Sequence, residues 1–136
     1  MSNQKELFQY VFDTSALINL KRNKKMRFLQ KRKGGILIPE KVAQEINHPM
    51  VPVHDPLRKF ILRHPQVITQ FLNNEADEYL RIRSQPGIHG GKASAMAIAL
   101  KRNLPLVIDE KDTKATGKAR NHGINTINWQ QFLGRS

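Results

Sequence analysis

Short apolar runs alternating with amphipathic stretches are the feature that most limits what this chain can fold into. The runs are Tyr10-Val11-Phe12, Ile36-Leu37-Ile38 and Leu106-Val107-Ile108. Continuous apolar runs of this length are typical of strands buried on both faces, as in a parallel sheet. Helical spacing of apolar residues lies between them, most clearly from Ala93 to Leu100. The alternation predicts a three-layer α/β fold, with a parallel sheet of four or five strands flanked by helices.

The chain length and composition predict one domain over residues 1–136. The sequence has 136 residues and no evident repeat or linker, and it contains no cysteine. Disulfides, thiolate nucleophiles and zinc–thiolate sites are therefore excluded. No apolar run approaches the length of a membrane span, and the N-terminus lacks the pattern of a secretory signal. We expect a soluble cytoplasmic protein with no membrane partner.

The charge balance favours a polyanionic partner. The chain has 23 Lys and Arg against 11 Asp and Glu, a formal net charge of +12. A surface this basic favours RNA or DNA. Eight basic residues and no acid lie between Lys21 and Lys33. We predict a track for an RNA backbone there, although a solvated helix face would show the same pattern. The residues proposed to contact the backbone are Lys21, Arg22, Lys24, Lys25 and Arg27.

Two aspartates follow predicted strands directly. Asp13 comes after the first apolar run and Asp109 after the third. In open α/β sheets, ligands bind beyond the carboxyl ends of the strands. If the two strands are neighbours, the carboxylates meet, and two buried carboxylates need a cation. Oxygen ligands favour Mg²⁺ or Mn²⁺. The competing interpretation is that each aspartate only caps the helix that follows it.

Other polar residues near these aspartates are candidates for the same site. Glu45 lies late in the predicted second helix, and Asp112 follows Asp109 closely. Glu45 could equally be a solvated helix residue, and Asp112 could be a helix N-cap. Thr14 and Ser15 could position a metal-bound water or a phosphate, or serve as ordinary caps of the first helix. The segment from Gln85 to Gly91 is predicted to be a glycine-bearing loop.

Four short segments, in this order, resemble the sequence blocks of PIN domains, the fold of VapC-like toxin ribonucleases. They are Val11 to Ile18, Ile38 to Ile46, Gly91 to Ala99 and Leu106 to Asp112. The resemblance implies a parallel sheet between helices and a metal-dependent endoribonuclease that uses Mg²⁺ or Mn²⁺. It implies Asp13, Glu45 and Asp109 as catalytic metal ligands, with Asp112 as a fourth. It also implies a cognate antitoxin protein and a homodimer.

The third block departs from the family pattern at Lys92, where the family usually has an acid. An ammonium group near a divalent ion would be unfavourable. Four explanations stay open: Asp112 supplies the missing ligand, Lys92 points away, Lys92 replaces one metal and positions the phosphate of the substrate, or the chain is catalytically impaired. The alternative function is therefore a PIN-fold module that binds RNA or a partner without cleaving it.

Overall fold

A computed structural model describes residues 8–48, 55–109, 111 and 113–134. Its five strands, labelled in chain order, are β1 (Tyr10–Phe12), β2 (Ile36–Pro39), β3 (Ile68–Thr69), β4 (Leu106–Val107) and β5 (Thr126–Ile127). The eight α-helices of the described residues are α1 (Thr14–Arg22), α2 (Met26–Lys31), α3 (Glu40–Ile46), α4 (Asp55–Arg63), α5 (Glu75–Arg83), α6 (Gly90–Arg102), α7 (Thr113–Asn121) and α8 (Trp129–Gly134). Two short 3-10 helices span Lys33–Gly35 and Pro65–Val67.

The five strands form one parallel sheet in the order β3-β2-β1-β4-β5. β1 is central, paired with β2 through Tyr10 and Ile36 and with β4 through Phe12 and Val107. The backbone pairing continues past the strand end, since the Asp13 N–H donates to the Val107 carbonyl at 3.1 Å. The end of β1 therefore lies directly beside the end of β4, as a shared site at the two strand-end aspartates requires.

The apolar side chains divide between the two faces of the sheet, as the period-2 alternation of strands dictates. Tyr10 and Phe12 face a core made with α1, α2, α3, α4 and α8. Val11, between them, faces a second core made with α5, α6 and α7. The three-layer α/β prediction is confirmed, and the short apolar runs are continuous because both faces are covered.

Two local predictions are wrong. Asp13, and not Thr14 or Ser15, occupies the N-cap position of α1, and its side chain makes no capping bond. Helix α6 begins at Gly90, inside the segment predicted to be a loop up to Gly91. The second prediction failed because Gly91 is required by the close approach of the Glu45 side chain and not by a turn.

The basic segment Lys21 to Lys33 lies at the amino-terminal edge of the sheet. α1 starts beside Asp13 and runs nine residues away from it, a rise of about 13 Å. The segment then leads into the start of β2, where Gly35 packs so closely on Phe8 that a Cβ would lie 2.6 Å from the Phe8 carbonyl oxygen. Among the described residues, no helix is both long enough and apolar enough to cross a membrane.

Candidate active site

Asp13 is the central residue of the candidate site. It follows the middle strand, and only 1% of its surface is exposed. Burying a carboxylate is unfavourable unless hydrogen bonds and charges compensate it. Because the Asp13 side chain does not cap α1, the capping interpretation does not account for its burial. A buried carboxylate at the carboxyl end of a central parallel strand makes Asp13 a candidate for a functional residue.

Ser15 connects Asp13 to Asp109. Its hydroxyl donates to Asp13 Oδ2 at 2.8 Å and accepts the backbone N–H of Asp109 at 3.2 Å. The Asp109 side chain is half-buried, and its Oδ1 accepts the backbone N–H of Lys111 at 3.0 Å. Asp109 therefore joins the site through its backbone N–H, and its carboxylate accepts a hydrogen bond from Lys111.

Glu45 reaches the site from α3. Its Oε1 accepts the Thr14 hydroxyl at 2.5 Å, and its Oε2 accepts the Gly91 backbone N–H at 3.1 Å. A Cβ on Gly91 would lie within 2.6 Å of Glu45 Cδ and Oε2, closer than any normal contact. The first turn of α6 can approach this carboxylate only because residue 91 is glycine. Thr14 and Ser15 thus act on the two acids and not as caps.

Lys92, next to Gly91 on α6, is half-buried and interacts electrostatically with Asp13. Burial raises the pKa of Asp13 above the usual range for aspartate. The Lys92 charge and the hydrogen bonds from Ser15 and the Thr14 backbone work against that rise, whereas the Glu45 charge adds to it. The structure therefore brings two acids, one ammonium and two hydroxyls together.

A group of residues that the sequence does not reveal surrounds Gly90. A Cβ placed there would lie 3.6 Å from the Tyr79 hydroxyl and 4.0 Å from both Arg83 Nε and Lys41 Cδ. The Lys41 ammonium also lies 5.0 Å from the centre of the Tyr79 ring. These three residues come from α3 and α5, and no spacing in the sequence predicts that both helices meet the start of α6.

The family of the chain follows from comparison with known proteins. A family model described as PIN domain matches residues 9–128. The chain belongs to the PIN domain family. PIN domains are generally nucleases that act on RNA and use divalent metals. No curated protein matches the chain.

A solved structure has a similar fold. The protein PAE2754 from Pyrobaculum aerophilum superposes with a TM-score of 0.62 at 18% sequence identity. The alignment covers 94% of this chain and 96% of that chain. At this identity, the similarity concerns the fold alone.

The described residues of this PIN domain do not by themselves fit a resident divalent ion. Carboxylate oxygens are the correct ligand type for Mg²⁺ or Mn²⁺. However, the part of the chain that the structure describes contains no group of three His, Cys, Asp or Glu side chains placed to hold a metal. Lys92 adds a positive charge beside Asp13. Asp112 lies outside the described residues.

The predicted site residues thus fall into two places. Asp13, Thr14, Ser15, Glu45 and Lys92 converge at the carboxyl edge of the sheet, together with the backbone of Asp109. The predicted RNA-backbone residues lie at the opposite edge. They are Lys21, Arg22, Lys24, Lys25 and Arg27, all exposed or half-buried.

Proposed function

We propose that this PIN domain is an endoribonuclease that hydrolyses RNA phosphodiesters at the Asp13 site. The observation that carries the proposal is the buried Asp13 carboxylate at the end of the central strand, which Ser15 holds and on which the charges of Glu45 and Lys92 act. A charged cluster of this kind is costly for stability, so its presence indicates a chemical role. Family membership supports nuclease chemistry.

The residues of the chain have separate roles in this proposal. The Lys92 ammonium orients a phosphate at the site. The Thr14 and Ser15 hydroxyls donate to Glu45 and Asp13 and hold the two carboxylates in place. Asp13 and Glu45 supply the carboxylates against which the attacking water is positioned. We propose Mg²⁺ or Mn²⁺ as the cofactor of the reaction.

Asp13, Glu45 and Asp109 are the proposed metal ligands, with Asp112 as a fourth. Asp13 and Glu45 are the pair whose charges interact directly, since Glu45 raises the pKa of Asp13. Because the Lys92 charge opposes a resident ion, these residues would hold the ion only while RNA is bound.

The positive charge near the site supports RNA as the substrate. Lys41 and Arg83 lie beside the start of α6 and extend the charge of Lys92 along that edge. Phosphate contacts of this type supply most of the affinity of single-stranded RNA binding and make it depend on salt. A cavity of about 150 Å³ at this edge is lined by Glu40, Lys41, Thr69, Phe71 and Ser94. We propose that the RNA strand passes along this edge.

The decisive experiment is a cleavage assay on mixed RNA with Mn²⁺ or Mg²⁺. We expect cleavage that EDTA and Asp13→Asn each abolish. Asp77→Asn, which removes an exposed carboxylate from α5, is the matched control and should cleave like the native protein. Cleavage that survives Asp13→Asn in a folded protein would show that the centre lies elsewhere.

A second candidate function is an RNA-binding module that does not cleave. The observation that favours it is Lys92, which places an ammonium beside Asp13. This candidate predicts tight, salt-sensitive RNA binding without turnover. Lys92→Glu separates the two functions. Cleavage that appears only in this variant would mean that position 92 alone disables the site.

The resemblance to toxin ribonucleases extends the proposal to assembly. We propose that the chain is the toxin of a toxin–antitoxin pair, that it forms a homodimer, and that a cognate antitoxin silences it. Induced expression should then arrest the growth of a bacterial host, whereas Asp13→Asn should not. Light scattering of the purified chain should give twice the monomer mass of 15.6 kDa.

A further inference from the structure

Lys92 lies in the first turn of α6, is half-buried, and acts electrostatically on Asp13. The preceding residue, Gly91, donates its backbone N–H to Glu45 at 3.1 Å. Glu45 in turn accepts the hydroxyl of Thr14, the neighbour of Asp13 in the chain. This chain of contacts fixes the start of α6 against the end of β1, so that the ammonium group of Lys92 belongs to the same site.

The charges of the site are partly balanced within the protein. The site holds two acids, Asp13 and Glu45, and the Lys92 ammonium, whose positive charge acts on Asp13. A buried carboxylate needs a compensating cation, and here a covalently attached cation is already present. A divalent ion at Asp13 would be repelled by Lys92. It would also find no third acidic or histidine ligand grouped with it in the described part of the chain.

We propose that Lys92 is the tethered counter-ion of Asp13 and that its ammonium group prevents the resting site from retaining a divalent cation. The inference rests on Asp13 being the centre of the proposed active site. It concerns the binding of the ion and does not require that RNA be cleaved.

The first test is calorimetric titration of the protein with Mn²⁺ in the absence of RNA. The native protein should bind Mn²⁺ weakly, and Lys92→Gln should tighten binding by about tenfold or more because the repulsion is removed. Lys59→Gln is the matched control, since it removes the same charge from the exposed face of α4. The double variant Lys92→Gln, Asp13→Asn should lose the gain, which would locate the bound ion at Asp13.

Thermal unfolding gives an independent measurement. In EDTA, Lys92→Gln should lower the melting temperature, because Asp13 loses its counter-ion. Adding Mn²⁺ should restore the stability of this variant and leave the native melting temperature unchanged. Lys92→Arg keeps the positive charge and should bind Mn²⁺ as weakly as the native protein. If Lys92→Gln does not fold, tight Mn²⁺ binding by Lys92→Arg would still contradict the proposal, because the charge is unchanged.

Two results would overturn the inference. One is tight Mn²⁺ binding by the native protein that Lys92→Gln does not strengthen. The other is an equal gain in Lys59→Gln, which would show a general effect of net charge. Since these titrations contain no RNA, a protein that fails to cleave RNA but shows the predicted Mn²⁺ affinities would refute the nuclease proposal and support the role of Lys92.

Discussion

At the scale of single residues, Asp13 couples the stability of the fold to pH. Burial raises the pKa of Asp13, so the folded state keeps this proton to higher pH than the unfolded chain does. The free energy of unfolding therefore decreases as pH rises from the unfolded pKa of about 3.9 through the higher folded pKa. Above the folded pKa, the cost of the charged group is fully present.

Asp13→Asn should remove this cost. We expect the variant to melt a few degrees above the native protein at neutral pH in EDTA, with the difference vanishing as pH falls below about 4. Melting curves across this pH range measure it, with Asp77→Asn as the control for losing one exposed carboxylate. A variant that melts below the native protein at every pH would mean that the hydrogen bond from Ser15 outweighs the burial cost.

A substitution at Gly91 tests whether the observed position of the Glu45 carboxylate matters for cleavage. In Gly91→Ala, the new Cβ would lie 2.6 Å from Glu45 Cδ, so the carboxylate must move and lose the backbone N–H. We expect RNA cleavage to fall about a hundredfold, the usual effect of an ångström-scale displacement. The melting temperature should change little. The higher helix propensity of alanine, about 1 kcal/mol over glycine, offsets the destabilisation caused by displacing Glu45.

Gly90→Ala is the matched control for this variant. Its Cβ would make only ordinary contacts, the nearest being the Tyr79 hydroxyl at 3.6 Å. It gains the same helix propensity and should cleave RNA at nearly the native rate. Equal cleavage by both variants would show that Glu45 need not be held in its observed position.

At the scale of elements, the predictions succeeded where a local pattern determines the outcome. The apolar runs at β1, β2 and β4 reveal strands because burial on both faces excludes polar residues. The start of α6 was missed because Gly90 and Gly91 look like a loop by themselves. Only the distant Glu45 explains why glycine is needed within a helix.

In the candidate site, too, residues singled out by a local pattern could be selected from the sequence, whereas contacts between distant elements could not. Asp13, Glu45 and Lys92 could be selected as candidates from the sequence, because strand ends and the resemblance to family blocks single out their positions. The roles of Ser15 and Tyr79 could not, since both depend on how separate elements pack. Hydroxyls and aromatic rings are also common throughout a chain, so their type alone carries little information.

Arg102, at the end of α6, connects that helix to α5 and β3. We expect it to be one of the main stabilising contacts between these elements. Its guanidinium donates to both oxygens of Glu75 on α5, at 2.7 and 2.9 Å, and to Thr69 Oγ1 on β3 at 3.0 Å. Only 3% of Glu75 is exposed. Burial alone would raise the pKa of Glu75, but the bonds from Arg102 and the Leu72 N–H outweigh it, and the pKa is lowered.

Arg102→Ala would leave Glu75 buried without its partner. We expect it to reduce the free energy of unfolding by about 3 kcal/mol at neutral pH. Because the folded pKa of Glu75 is lowered, this contribution is present above the unfolded pKa and is lost as pH falls through the folded pKa. Urea denaturation at pH 7 and at low pH measures both effects.

Arg81→Ala is the control for Arg102→Ala. Arg81 lies on α5 and pairs with Glu78, but 69% of its side chain is exposed. We expect a loss below about 1 kcal/mol, as for other exposed pairs. A comparable loss in both variants would mean that the buried geometry of Arg102 adds nothing.

At the scale of the whole molecule, positive charge is present at both edges of the sheet. Lys41, Arg83 and Lys92 lie at the carboxyl edge beside Asp13, whereas the basic segment Lys21 to Lys33 lies at the amino edge. The two groups lie at least the length of α1 apart, about 13 Å, so a longer RNA contacts both groups at once more readily than a short one does. The two groups should therefore contribute differently to RNAs of different length.

RNA-binding measurements on two lengths test this arrangement. Binding of an RNA of about four nucleotides should weaken with Lys41→Gln but not with Lys24→Gln, since only Lys41 lies near the site. Binding of an RNA of about 16 nucleotides should weaken with both, and each substitution should reduce the slope of log affinity against log salt by about 0.7. If Lys24→Gln changes neither affinity nor slope for the long RNA, the basic segment is a solvated surface, and the RNA follows the carboxyl edge alone.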